Sequence, residues 1–97
     1  MKINTQEELV NLEGQKLKDG GGNATLGKCI ANMLISAEEN GKMKLFILAQ
    51  KFYKDNFVEV DSSDLILIKN VVGKTKIYNA LVAGQIELIL EELKEEK

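Results

Sequence analysis

Residues 22–29 carry the spacing that comes nearest to a catalytic motif in this chain. Gly22, Gly27 and Lys28 fit the phosphate-loop pattern G-x-x-x-x-G-K, whose backbone N–H groups and lysine hold nucleotide phosphates. Cys29 stands where that motif requires serine or threonine, because the hydroxyl binds magnesium. The motif also belongs to α/β domains far larger than 97 residues. We therefore expect a glycine-rich connector followed by a helix that Thr25 caps, with Cys29 buried on its apolar side.

Other residue types that perform catalysis are scarce. The chain has thirteen lysines but neither histidine, the usual general base and metal ligand, nor arginine, the usual ligand of phosphates. Carboxylate pairs do occur, at Asp61 with Asp64, Glu38 with Glu39 and Glu91 with Glu92. Their spacing is typical of helix starts and solvated helix surfaces. We expect a protein that is not an enzyme, with no catalytic residue, no metal and no cofactor.

Residues 63–83 are a candidate helix-turn-helix. A short helix, Gly73 in the turn and a following helix N-terminus match the order of that DNA-binding motif. Lys69, Lys74 and Lys76 would contact phosphates, and Tyr78 and Asn79 would face bases. Nucleic-acid binding is nevertheless the alternative interpretation, because three lysines release few counterions and the net charge is −2.

The last predicted helix carries more apolar surface than one core needs. Val82, Ile86, Ile89 and Leu93 repeat at spacings of four, three and four, as in the seam of a coiled coil. We expect this seam, together with Tyr78 of a second apolar face, to bind a second copy of the chain or another protein. The alternative is a central core helix of a monomer.

Hydrophobic periodicity predicts four helices. They cover about residues 25–37, 42–54, 62–73 and 75–92 or beyond. In the second helix we expect Leu45, Phe46, Leu48, Ala49, Phe52 and Tyr53 to point inward. In the third helix the expected apolar positions are Leu65, Ile66, Ile68, Val71 and Val72, and Asp61 or Ser62 is the expected cap. Residues 57–60 alternate like a strand that could pair with the N-terminal segment.

The N-terminal segment, residues 1–18, favours a small β-hairpin that turns at Glu13-Gly14. A short helix capped by Thr5 and closed by Glu8 is the competing interpretation. Residues 19–24 form the glycine-rich connector, and residues 25–97 the helical bundle, within one domain spanning 1–97. A single cysteine suits a reducing cytoplasm, and we expect neither a signal peptide nor a membrane span.

Four segments together resemble a loose group of small bacteriophage and prophage proteins that have no assigned activity. The segments are Thr25-Leu26-Gly27-Lys28, Leu48 to Tyr53, Val58-Glu59-Val60-Asp61 and Leu81 to Gln85. The resemblance implies a protein of the host cytoplasm that acts on another macromolecule or in particle assembly. Together with the residue types, it leads us to expect a mainly α, compact four-helix bundle. We expect it to bind proteins as a phage accessory, assembly or host-interference factor.

Overall fold

The computed structural model describes residues 1–19, 22–38 and 40–93, and the mainly helical prediction is confirmed. Gly20, Gly21, Glu39 and 94–97 lie outside the described residues, so the predicted Glu38–Glu39 pair and any extension of the last helix beyond Leu93 are not described. The helices are α1 (Leu26–Ser36), α2 (Lys42–Lys54), α3 (Ser62–Lys74) and α4 (Ala80–Glu91). The strands are β1 (Lys2–Asn4), β2 (Lys18–Asp19), β3 (Gly22–Asn23) and β4 (Phe57–Glu59).

Side-chain caps start α1 and α3 where the sequence predicts them. The Thr25 hydroxyl accepts a hydrogen bond from the Lys28 N–H at 3.4 Å. Asp61 accepts from the Asp64 N–H at 2.7 Å, and Asp64 accepts from the Asp61 N–H at 3.4 Å, which completes a capping box. Each cap satisfies an N–H group that has no partner inside its helix.

The predicted start of α4 at residue 75 is wrong, because the helix begins five residues later. The Thr75 hydroxyl accepts from the Ile77 N–H at 3.3 Å, and the Asn79 side chain accepts from the Val82 N–H at 3.3 Å. These local bonds give the backbone an alternative to the helix. With 12 residues, α4 is shorter than α2 and α3, not the longest helix as expected.

The N-terminal strand pairs with β4 and not within a hairpin of its own. β1 and β4 are antiparallel, with Ile3 opposite Val58, so the predicted pairing of the 57–60 strand is confirmed. The chain does reverse near Glu13-Gly14, where the Asn11 N–H donates to the Gln15 carbonyl at 2.8 Å. At that reversal, Val10 and Lys16 form an isolated β-bridge, and the two strands of the predicted hairpin are not formed. β2 and β3 form a second short antiparallel pair within and beside the predicted connector.

Thr5 has a different role from the helix cap of the competing interpretation. Its side chain is buried, and its hydroxyl donates to the carbonyl oxygens of Asp55 and Asn56 at the end of α2. Thr5 therefore ties the N-terminal segment to α2.

The core is one cluster in which α1 packs against α2 and α3, and α3 packs against α4. Most predicted inward positions are buried, including Cys29 on α1. Three are wrong: Phe46 and Tyr53 on α2 and Ile66 on α3 are exposed. A bundle arrangement of the four helices stays a prediction.

Candidate protein-binding surface

The predicted interaction seam on α4 faces the protein's own core. Ile86 is fully buried, and Tyr78, Val82, Ile89 and Leu93 are partly buried against the core cluster. Ile86, the central residue of this seam, has no exposed surface for another chain to contact. Binding through the other four residues stays a prediction. The solvent side of α4 instead carries Gly84, Glu87, Leu88 and Glu91, so Leu88 is its large exposed apolar residue.

The largest run of exposed apolar side chains on one helix lies on α2. We call this run the α2 face, and its members with their exposed fractions are Met43 (76%), Phe46 (56%), Ile47 (43%) and Tyr53 (63%). At 3.6 residues per turn, these positions fall within an arc of about 120°. The opposite side of the helix holds its buried residues, which are Leu45, Leu48, Ala49 and Phe52.

Lysines lie within and beside the α2 face. Lys42, Lys44, Lys51 and Lys54 are all exposed, and α2 contains no acidic residue. Lys44 binds Asp64 of α3 at 3.1 Å between Nζ and Oδ1. Helix α2 thus carries a charge of +4, while the whole chain carries −2, which leaves −6 for the other residues. The apolar surface lies in the most basic part of an acidic molecule.

The phosphate-loop spacing does not build an anion site. The first four N–H groups of α1 all donate to acceptors within the protein. The Leu26 N–H donates to the Glu7 carbonyl, and the Gly27 N–H donates to the Thr5 carbonyl. The next two N–H groups donate to the hydroxyl and the carbonyl of Thr25. A phosphate loop needs such N–H groups to point at its ligand. Gly27 allows a close approach, because a Cβ there would lie 2.5 Å from the Phe52 carbonyl oxygen. The expected helix capped by Thr25 therefore describes the end of this segment, whereas Gly22 and Asn23 of the expected connector lie in β3.

No protein-family model, no curated protein and no solved structure matches this chain. The resemblance to phage and prophage proteins stays a prediction. Proposals about function therefore depend on the residues of this chain alone.

Within the described ranges 1–19, 22–38 and 40–93, no three cysteine or acidic residues come together as a metal site. No helix in the same ranges has the length and hydrophobicity that crossing a bilayer requires.

The lysines among the alternative DNA contacts line two different hollows. Lys69 binds Glu91 at 3.5 Å, in a groove between α3 and α4. Lys74 and Lys76 line a different hollow, next to the end of α1. Asn79 is engaged in capping α4, and the Tyr78 hydroxyl accepts from the Asn32 amide at 2.9 Å. None of these observations supports the helix-turn-helix interpretation, since base-reading side chains must reach out of the protein.

The hollow beside α1 has a volume of about 490 Å³. Its size falls in the range of small-molecule pockets. Its lining combines the ends of α1 and α3 with the residues that follow them, and includes Ser36, Glu38, Lys74, Thr75 and Lys76. Among the described residues of this lining, Glu38 is the one carboxylate, so the lining does not hold a described carboxylate pair of the kind that glycosidases use.

Two carboxyl groups have lowered pKa values, and both serve the fold. Hydrogen bonds from the Lys16 ammonium at 2.6 Å and the Asn23 amide at 2.8 Å lower the pKa of Glu8. Burial raises the pKa of Asp64, but the hydrogen bonds from Lys44 and from the Asp61 backbone together outweigh it and lower the value. A carboxyl with a lowered pKa is a poor general acid at neutral pH.

Proposed function

We propose that this chain is a non-enzymatic protein-binding module, a four-helix bundle that acts in the cytoplasm by presenting the α2 face to another protein. The observation that carries the proposal is the set of four large apolar side chains exposed on the side of α2 opposite its core. The sequence-based expectation of an accessory or assembly factor is kept, with its binding surface moved from α4 to α2.

The types of side chain on the α2 face support this proposal. Phe46, Tyr53 and Met43 belong to the residue types that are enriched in the buried centres of protein interfaces. Isolated apolar residues on a surface are ordinary, whereas neighbouring ones that form a continuous surface mark interaction sites. On α3, by contrast, Ile66 is the single large exposed apolar residue, at 68% exposed.

Site-specific photo-crosslinking in the producing cells tests the proposal. A photoreactive amino acid replaces Phe46 in one variant and Ile66 in a matched control, since both positions are exposed, helical and apolar. We expect a discrete protein adduct from position 46 and none from position 66. Adding Ile47→Lys on the same face should reduce the adduct at least about tenfold, because a buried charge opposes docking. Equal adducts at both positions, or none at position 46, would contradict the proposal.

A further inference from the structure

We infer that the occupant of the α2 face is an amphipathic helix of another protein whose apolar seam is flanked by acidic residues. This inference rests on the proposed function, because it names the partner of the same surface. Three observations lead to it: the area of the surface, its charge, and the poor fit of a second copy of the chain or of a lipid bilayer.

The area of the α2 face matches a single helix. From their exposed fractions, the four side chains present on the order of 500 Å² of surface. A stable dimer of globular subunits buries about 800 Å² on each partner. The run from Met43 to Tyr53 is about 15 Å long at the helical rise, or about three turns of a partner helix lying alongside.

The charge around the α2 face selects an acidic partner. Viewed down the helix axis, Lys51 lies next to Ile47, and Lys42 lies next to Tyr53. Lys54 lies between Met43 and Ile47 in the same view. Carboxylates that flank the seam of a partner helix would meet these ammonium groups, as charged flanks do in coiled coils.

A second copy of this chain fits the face poorly. Two α2 faces packed on each other would bring Lys42, Lys51 and Lys54 of one copy against the same three lysines of the other. The acidic outer side of α4 has the right charge, but it offers Leu88 as its large exposed apolar residue against four on α2. Like charges across an interface oppose association, and so does unmatched apolar surface.

An anionic bilayer is also a poorer fit than a protein. A basic, apolar helix surface can bind such lipids. Here α2 is held in the core by its other side, and the rest of the chain carries −6, which a negative surface repels.

Model peptides test the inference by fluorescence anisotropy. The probe is a labelled helical peptide of about three heptads, with leucine at the seam and glutamate at the flanks. One control has lysine at the flanks, and another has the acidic composition in scrambled order. We expect the acidic seam peptide to bind at least about tenfold more tightly than either control, and more weakly as salt rises from about 0.05 to about 0.5 M.

Variants locate that binding on α2. Phe46→Ala should weaken it at least about tenfold, whereas Ile66→Ala should leave it unchanged. Lys51→Glu with Lys54→Glu should shift the preference towards the lysine peptide. Circular dichroism of each variant verifies its fold, and a variant that unfolds is replaced by Phe46→Ser or by Lys51→Gln with Lys54→Gln.

Several outcomes would overturn the inference. In the peptide assay, equal binding of the acidic and basic peptides, or binding of neither, would contradict it. Binding to vesicles rich in phosphatidylserine but not to the peptide would favour a membrane. A dimer in light scattering that Phe46→Ala dissociates would favour a second copy of the chain. If position 46 still forms a protein adduct in cells while the acidic peptide fails to bind, the acidic helix is wrong and the proposed function stands. If position 46 forms no adduct and the acidic peptide does not bind, both the inference and the proposed function are wrong.

Discussion

At the scale of single residues, Gly27 decides how closely α1 approaches its neighbours. Its N–H donates to the Thr5 carbonyl at 2.9 Å, and a Cβ there would lie 2.5 Å from both the Phe52 carbonyl oxygen and the Thr5 Cβ. We predict that Gly27→Ala lowers the free energy of unfolding by at least about 2 kcal/mol, because the backbone must move to relieve the overlap.

Gly84 provides the matched control for that substitution. It also lies in a helix, but a Cβ there would meet no atom within 4 Å. Gly84→Ala should raise the free energy of unfolding by about 0.5–1 kcal/mol, through the greater helix propensity of alanine. Urea denaturation measures both changes. Equal effects of the two substitutions would show that α1 does not pack at Gly27 as described.

Residue types alone predict the caps but not the close contact at Gly27. Thr25 and Asp61 precede apolar periodic segments, and a cap depends on residues only three positions away. The roles of Thr5 and Gly27 depend on atoms about 25–50 residues distant in the chain, namely Phe52, Asp55 and Asn56. Long-range contacts of this kind leave no periodic signal in the sequence.

At the scale of the elements, the ion pair between Lys44 and Asp64 joins the starts of α2 and α3. The pKa of Asp64 is lowered from its ordinary value of 3.8, so its ionised form stabilises the folded state at neutral pH. We predict that this contribution is lost as the pH falls below the ordinary value, through the lower pKa of the folded state.

Denaturation of Asp64→Asn at neutral pH and at about pH 3 checks this prediction. The variant should be less stable than the native chain at neutral pH, and the difference should shrink at about pH 3, because the carboxyl of the unfolded chain is then largely protonated and the ion pair contributes less to stability. Asp55→Asn, which changes an exposed carboxyl at the end of α2, is the control. A difference between Asp64→Asn and the native chain that is the same at both pH values would refute the linkage.

Helix α2 explains why its bounds could be predicted from the sequence and its surface could not. Residues 42–54 lack glycine and proline, so the predicted helix bounds agree with the structure. Apolar residues occur nearly all round this helix, and such a pattern has no unique inward side. The pattern therefore predicts Phe46 and Tyr53 in the core as readily as Phe52, which alone among the aromatic residues of α2 is buried.

At the scale of the whole molecule, apolar surface and positive charge coincide on one helix. The core is formed by α1, α3 and the inner side of α2, by Ile86 and Leu90 of α4, and by buried residues of the N-terminal segment and β4, such as Ile3 and Val58. Packing of the core therefore does not require the four exposed side chains of the α2 face. The position of these four side chains outside the core is the basis for the proposal that the α2 face binds a partner protein.

The most direct measurement compares Phe46→Ala with Phe52→Ala by urea denaturation, since the two phenylalanines lie on opposite sides of one helix. Phe46 is 56% exposed and Phe52 is 1% exposed. We predict a change within about 0.5 kcal/mol for Phe46→Ala and a loss of about 3–5 kcal/mol for Phe52→Ala. A loss at position 46 as large as that at position 52 would place Phe46 in the core and contradict a binding surface on α2.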